Sequence, residues 1–300
     1  MDESTAPRTT SPDPTAESPA EPLHPWHRMV SMGDSFTEGV GDEDASRPNG
    51  VRGWADRVAE QLTLRFPRTL YANLAIRGRT LEPILAEQVD AALALRPTLV
   101  SLYGGGNDIL RPSIDVDALM ADYDEAFGRL RASGAQVLTL TGFDVKHFYG
   151  VFKATRGRTA IYNELLREIA EKHDLILVDF WRFSEEFSDA RYWAKDRLHM
   201  NTLGHIKMAG KVLEALQVGA GELGLEPLPQ MREVSRVQAT RANLEWVRTF
   251  ALPWVGRRLR GTSSGDSLSP RYPDLQSLQV TEGGDAARGR EEGEAGAPPA

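Results

Sequence analysis

The chain is 300 residues long (33.1 kDa), with 41% hydrophobic and 26% charged residues, no cysteine and a formal net charge of −8. That make-up describes a globular protein long enough to build its own core, and the missing cysteines exclude disulfide frameworks, thiol catalysis and thiolate metal sites. The acidic balance argues against nucleic-acid binding, which needs a concentrated basic surface, and no apolar run approaches the roughly 20 residues of a transmembrane helix.

Residues 1–25 hold six prolines and five acids against Arg8, without the apolar core of a secretory signal. They read as a disordered acidic tail, and the chain as cytoplasmic. From 26 to 220 short apolar runs alternate with longer segments of helical spacing. Strands are expected at 28–32, 70–75, 98–103, 136–141 and 175–180, and helices at 53–66, 82–95, 115–132, 157–173 and 202–217. In the first helix Trp54, Val58, Leu62 and Phe66 share a stripe; in the fourth, Ile161, Leu165, Leu166 and Ile169 do. Five βα units in succession demand a parallel sheet covered on both faces, with ligands beyond the carboxyl ends of its strands.

The segment 221–275 reads as a basic, aromatic extension. Within it, residues 229–261 carry seven arginines against Glu233 and Glu245, and Trp246, Phe250 and Trp254 recur every four residues. Pro253 is expected to break or kink any helix there. Packing of the aromatics on the body and weak peripheral contact of 229–261 with an anionic membrane both remain open. Residues 276–300 read as a second disordered acidic tail.

The chemistry-bearing residues follow the expected strands. The first strand runs into Gly33-Asp34-Ser35-Phe36-Thr37, where a serine hydroxyl can be exposed; threonine at 37 rules out the Gly-x-Ser-x-Gly elbow. A turn serine or helix cap is the competing reading. A second copy, Gly265-Asp266-Ser267-Leu268, has no strand before it and is assigned to a loop. The second strand leads to Asn73-Leu-Ala-Ile-Arg-Gly78, whose glycine could present a backbone N–H. The third ends in Gly104-Gly105-Gly106-Asn107-Asp108, close-approach glycines beside a side-chain amide. It is not a phosphate loop, since residue 109 is isoleucine and no Gly-Lys-Ser/Thr follows.

Of six histidines, His199 lies beyond the fifth strand, three residues after Asp196. A tight turn there would let the carboxylate reach Nδ1 and leave Nε2 for a serine. His147, in the loop after the fourth strand, stays open as a base. His24 and His27 flank the tail, His173 ends a helix and His205 reads as a packed or capping residue. No metal or cofactor constellation is expected: Asp42-Glu43-Asp44 lacks the glycine and terminal glutamate of a calcium loop.

Taken together, Gly33-Asp34-Ser35, Asn73 to Gly78, Gly105-Gly106-Asn107-Asp108 and Asp196-Arg-Leu-His199 resemble the four blocks of the SGNH hydrolases, the GDSL esterases and lipases, in order over about 27–217. Methionine at 200 departs from the frequent proline. The resemblance implies a flavodoxin-like three-layer α/β/α sandwich over 26–220, with a five-stranded parallel sheet in the order 2-1-3-4-5. It also implies Ser35 as nucleophile, His199 as base, Asp196 orienting it, and an oxyanion hole of Ser35, Gly78 and Asn107. The substrate would be a carboxylic ester of a small molecule, a lipid or an acylated sugar, with acyl transfer, thioester cleavage or a non-catalytic binding role as alternatives. Pocket walls are expected from loops 36–52, 143–156 and 183–195, with Phe36, Phe143, Phe148, Tyr149, Phe152 and Trp193 as candidates.

Overall fold

The computed structural model describes residues 23–147, 151–219, 223, 228, 235–260 and 262–278. Its strands are β1 (Arg28–Gly33), β2 (Leu70–Asn73), β3 (Leu99–Tyr103), β4 (Gln136–Leu140), β5 (Ile176–Val178) and β6 (Tyr272–Gln276). The helices are α1 (Ser35–Glu38), α2 (Trp54–Arg65), α3 (Leu81–Ala94), α4 (Gly106–Ile109), α5 (Val116–Ala132), α6 (Val151–Ala154), α7 (Arg156–Lys172), α8 (Thr202–Ala215), α9 (Arg236–Trp246) and α10 (Leu252–Leu259). The five expected strands and five expected helices all form, with bounds that differ by no more than two residues.

The sheet runs β5-β4-β3-β1-β2-β6. The first five strands pair in parallel, but β6 adds antiparallel to β2, matching Tyr71 with Gln276 and Asn73 with Tyr272 across a bulge. The expected purely parallel, five-stranded sheet is therefore corrected to a mixed one of six strands. β6 comes from the segment read as an extension and enters the tail expected from 276, where Leu278 is buried too. Its register was hidden because a strand carrying Pro273 and Asp274 has no apolar alternation to betray it, and Pro is tolerated at a sheet edge.

Both faces of the sheet are covered, as the near-continuous apolar strands require. On one face Trp54, Val58 and Leu62 of α2 and Met208, Val212 and Leu213 of α8 pack against Met29, Leu99 and Leu138. On the other, α3, α5 and α7 bury Ile84, Val89, Tyr123, Phe127 and Leu166 against Val30, Val100 and Val137. Consecutive β1 residues thus serve opposite layers, following the two-residue alternation of a strand. One stripe is corrected: Ile161 is 55% exposed, and α7 instead buries Thr159, Tyr162, Asn163, Leu166 and Ile169. The polar members belong inward because Asn163 exchanges hydrogen bonds with Gly142, donating to its carbonyl at 2.8 Å and accepting from its N–H at 2.7 Å.

At Pro253 the regular helix is interrupted, as expected: α9 gives way to a π-helical turn at Val247–Ala251 directly before α10, the widening that relieves a proline's clash with the preceding turn. Among the described residues no helix is long and apolar enough to cross a membrane, and no group of three or more His, Asp or Glu could hold a metal ion.

Candidate active site

At the carboxyl end of β1 the backbone turns at Gly33, with φ of 146°, into the short helix α1. A Cβ at Gly33 would lie 2.1 Å from the Tyr103 carbonyl oxygen of β3, so only glycine permits this approach. Gln88 of α3 fixes the corner, accepting from Gly33 N–H at 2.8 Å and donating to its carbonyl at 3.0 Å. Asp34 caps α1 by accepting from Phe36 N–H at 3.1 Å. Ser35 is thereby set as the first residue of the helix, its hydroxyl lining a cavity of about 360 Å³.

His199 Nε2 lies 2.8 Å from Ser35 Oγ, and His199 Nδ1 lies 2.6 Å from an Asp196 carboxylate oxygen. The tight turn linking them is real: the other Asp196 oxygen accepts the N–H groups of Leu198 and His199, both at 3.0 Å, and Arg197 adopts a left-handed φ of 58°. Burial pushes the Asp196 carboxyl up, but the His199 imidazole and these N–H donors outweigh it and hold the group below the usual carboxylate range. An ionised Asp196 claims the proton on Nδ1, which leaves the Nε2 lone pair to accept from the Ser35 hydroxyl.

Gly78 and Asn107 border the same cavity. Gly78 has a φ of 78°, and a Cβ there would meet the Ser263 hydroxyl at 2.1 Å. The Asn107 amide donates to the Arg79 carbonyl at 3.0 Å and to Asp34 at a longer 3.3 Å. Burial pushes the Asp34 carboxyl up to about 6, more than its contacts with Phe36, His199 and Asn107 bring it down. The structure thus brings together Ser35, Gly78, Asn107, Asp196 and His199.

The remaining histidines sort differently. His205 is wholly buried. Its Nδ1 accepts from Trp54 N–H at 3.1 Å at the start of α2, and its Nε2 donates to the Val40 carbonyl at 3.3 Å, fixing a neutral tautomer. His173 ends α7 and reaches Asp124 at 2.6 Å. The His147 side chain lies outside the described residues. Ser267 sits in the turn 264–267, with no strand before it, as expected of a loop. The Asp42 carboxylate goes to Arg57 and Thr202, and Asp44 to Ser46.

Phe36, Phe143 and Phe152 line the cavity; Trp193 stands behind Phe143 at a ring separation of 5.2 Å, and Phe148 and Tyr149 lie outside the described residues. Two wall segments were not foreseen. Arg77, Arg79 and Arg111 come from the loops after β2 and β3, and Arg257, Thr262, Ser263, Ser264 and Asp266 from the C-terminal segment. Ser263 donates to the Arg77 carbonyl at 3.1 Å, seating that segment on the Gly78 loop. Trp246 of α9 donates its indole N–H to the Asp196 carbonyl at 2.9 Å, and Arg197 stacks over its ring. Runs such as Thr-Ser-Ser-Gly signal only a turn, so no local pattern could have placed them beside residue 78.

The chain resembles solved structures in fold. It is 24% identical to LAE5, an alpha/beta hydrolase enzyme from the metagenome of Lake Arreo, Spain, over 67% of this chain and 97% of that one, with a TM-score of 0.54. A variant of Axe2, an acetyl xylan esterase from Geobacillus stearothermophilus, is 19% identical over 69% of this chain and 99% of that one, also at a TM-score of 0.54. No curated protein matched the sequence. Residues 31–206, which run from within β1 to the first turn of α8 and contain Ser35, Gly78, Asn107, Asp196 and His199, match the GDSL-like Lipase/Acylhydrolase family. The chain belongs to that family and is a carboxylic ester hydrolase.

Proposed function

We propose that the protein cleaves carboxylic esters of small molecules, lipids or acylated sugars through an acyl-enzyme on Ser35. His199 Nε2 takes the hydroxyl proton as Ser35 Oγ attacks the ester carbonyl, while Asp196 orients the imidazole and balances the imidazolium. The N–H groups of Ser35 and Gly78 and the Asn107 amide receive the oxyanion, Asn107 giving up its longer contact with Asp34. His199 then returns the proton to the departing alcohol, and water repeats the sequence on the acyl-enzyme. The observation that carries this reading is the continuous relay Asp196–His199–Ser35, at 2.6 and 2.8 Å, opening into the cavity.

The test is hydrolysis of p-nitrophenyl acetate through p-nitrophenyl palmitate by wild type, Ser35→Ala and Ser267→Ala, with fluorophosphonate labelling in parallel. Activity and labelling lost only in Ser35→Ala are expected, and the chain-length profile separates esterase from lipase. Activity lost only in Ser267→Ala would move the nucleophile, and an unlabelled wild type would favour a binding module. Faster transfer to an added alcohol than to water would favour an acyltransferase.

Weak peripheral contact with an anionic membrane is a second reading, favoured by the outer face of α9 and the start of α10. There Val237, Leu244 and Leu252 are exposed beside Arg241 and Arg248. Cosedimentation with phosphatidylglycerol vesicles is expected to weaken in a Leu244→Gln, Leu252→Gln double variant; equal binding by both proteins would remove this reading.

A further inference from the structure

The cavity above Ser35 has an uneven charge lining. Four arginines reach it, Arg77, Arg79, Arg111 and Arg257, against two carboxylates, Asp34 and Asp266. Arg77 is spoken for, gripping the buried Glu38 at 2.7 Å. Arg79 reaches Glu87 at 3.1 Å and Asp266 at 3.8 Å, yet its buried Nε has no acceptor among the described residues. Asp34 is committed to the Phe36 N–H and the Asn107 amide. Arg111, exposed at the rim, and Arg257, half-buried in the wall, have no carboxylate partner among the described residues. A half-buried guanidinium without a counter-charge is unfavourable in the free protein. Its planar fork of donors is also the arrangement that best receives a carboxylate or phosphate.

We propose that Arg257 and Arg111 form an anion subsite beside Ser35, so that the substrates are carboxylic esters bearing a second, acidic group. This rests on the ester-hydrolase reading with Ser35 as nucleophile and narrows its substrate class. The cleaved bond is still the ester C–O bond, with water as co-reactant; the acidic group is bound and leaves unchanged on the acid or alcohol product. Phe36, Phe143 and Phe152 suit the neutral part of such a molecule, and the arginines hold its charged end.

The experiment compares kcat/KM for p-nitrophenyl acetate and p-nitrophenyl valerate with that for p-nitrophenyl hemiglutarate, whose acyl chain ends in a carboxylate. 4-Acetoxybenzoate and 4-acetoxyphenyl phosphate place the carboxylate or phosphate on the alcohol side. At least one anionic ester is expected to exceed its neutral counterpart by about tenfold. That ratio is expected to fall severalfold in Arg257→Gln and Arg111→Gln, and the KM of the anionic ester to rise with ionic strength. Hydrolysis of the acetate with no preference for any anionic ester, or a preference unchanged in both variants, would overturn the subsite while leaving the esterase reading intact.

Calorimetric binding of 4-acetoxybenzoate and 4-acetoxyphenyl phosphate to Ser35→Ala reads the subsite without turnover. About tenfold weaker binding of the preferred ligand after Arg257→Gln is expected, and equal binding would overturn the proposal even if no ester were cleaved. Arg257→Lys, which keeps the charge and loses the fork, serves if Arg257→Gln fails to fold, and is expected to retain part of the preference.

Discussion

Asn107 has both amide hydrogens engaged, by the Arg79 carbonyl and by Asp34, so it contributes to an oxyanion hole only by exchanging one of them. The Asp34 contact is the one to yield, because it is longer and because a carboxylate beside a developing oxyanion is repulsive. Asn107→Ala is expected to lower kcat by about 10²–10³, or roughly 3 kcal/mol, with a small change in KM, since the interaction is made mainly in the transition state. Steady-state kinetics on p-nitrophenyl acetate checks this; a rise in KM at constant kcat would assign Asn107 to ground-state binding instead. His205 makes a separate prediction. Burial lowers its pKa from 6.5 to about 3, so between those values the unfolded chain takes up a proton that the native one refuses. Its contribution to stability is whole above pH 6.5 and falls as pH drops through that window, by up to about 1.4 kcal/mol per unit. Asp34 acts with the opposite sign, its raised pKa costing stability as pH rises from about 4 to about 6. Urea unfolding from pH 7 to 4.5 is expected to show a flatter acid loss in His205→Gln than in wild type, whatever the offset between them at neutral pH. Equal slopes would mean that His205 is protonated in the native state.

At the scale of elements, β6 is tied in by one buried ion pair. Arg271 has a fully buried side chain, donates to the Asp56 carboxylate of α2 at 2.6 Å, and also donates to the carbonyls of Glu38 and Pro48. Asp56 in turn accepts from Tyr71 of β2 at 2.9 Å, so one carboxylate gathers a helix and two strands. Arg271→Met is expected to cost about 3–5 kcal/mol in urea unfolding, because Asp56 would be left buried and charged. Adding Asp56→Asn should recover part of that loss; additive losses would show that the packing of Arg271, not its charge, matters. The same elements show where sequence reading succeeds and fails. β1 to β5 and the helices between them declare themselves through local apolar runs and 3.6-residue stripes, and the Asp196–His199 turn closes within four residues. Arg271 meets Asp56 across 215 residues and Ser263 meets Arg77 across 186, and neither pairing leaves a periodic trace. Ile161 failed for the converse reason: α7 turns Asn163 inward to bond Gly142 in the loop after β4 and Thr159 inward to donate back to the Thr155 carbonyl, and a purely apolar count cannot see that preference.

For the whole molecule, the boundary expected at residue 220 becomes a prediction about folding. A chain ending there would keep the five parallel strands and the Ser35, Asp196 and His199 positions. It would lose β6, the Arg271 partner of Asp56, the burial of Tyr272 and Leu278, the Trp246 bond to the Asp196 carbonyl, and the wall formed by Ser263 and Arg257. The unpaired Asp56 alone represents about 3–5 kcal/mol, against a total stability of roughly 5–15 kcal/mol for an ordinary domain. The bared edge of β2 would also offer its backbone groups for intermolecular pairing. The 1–220 chain is therefore expected to aggregate or to melt well below the full chain, and any folded fraction to hydrolyse p-nitrophenyl acetate more slowly, because the Asp196 loop has lost its buttress. Thermal unfolding followed by circular dichroism, beside size-exclusion chromatography and ester turnover, makes the comparison. A monomeric 1–220 chain with an unchanged melting temperature and kcat/KM would show that the C-terminal segment is an appendage; loss of both would make β6 and α9 integral to the hydrolase.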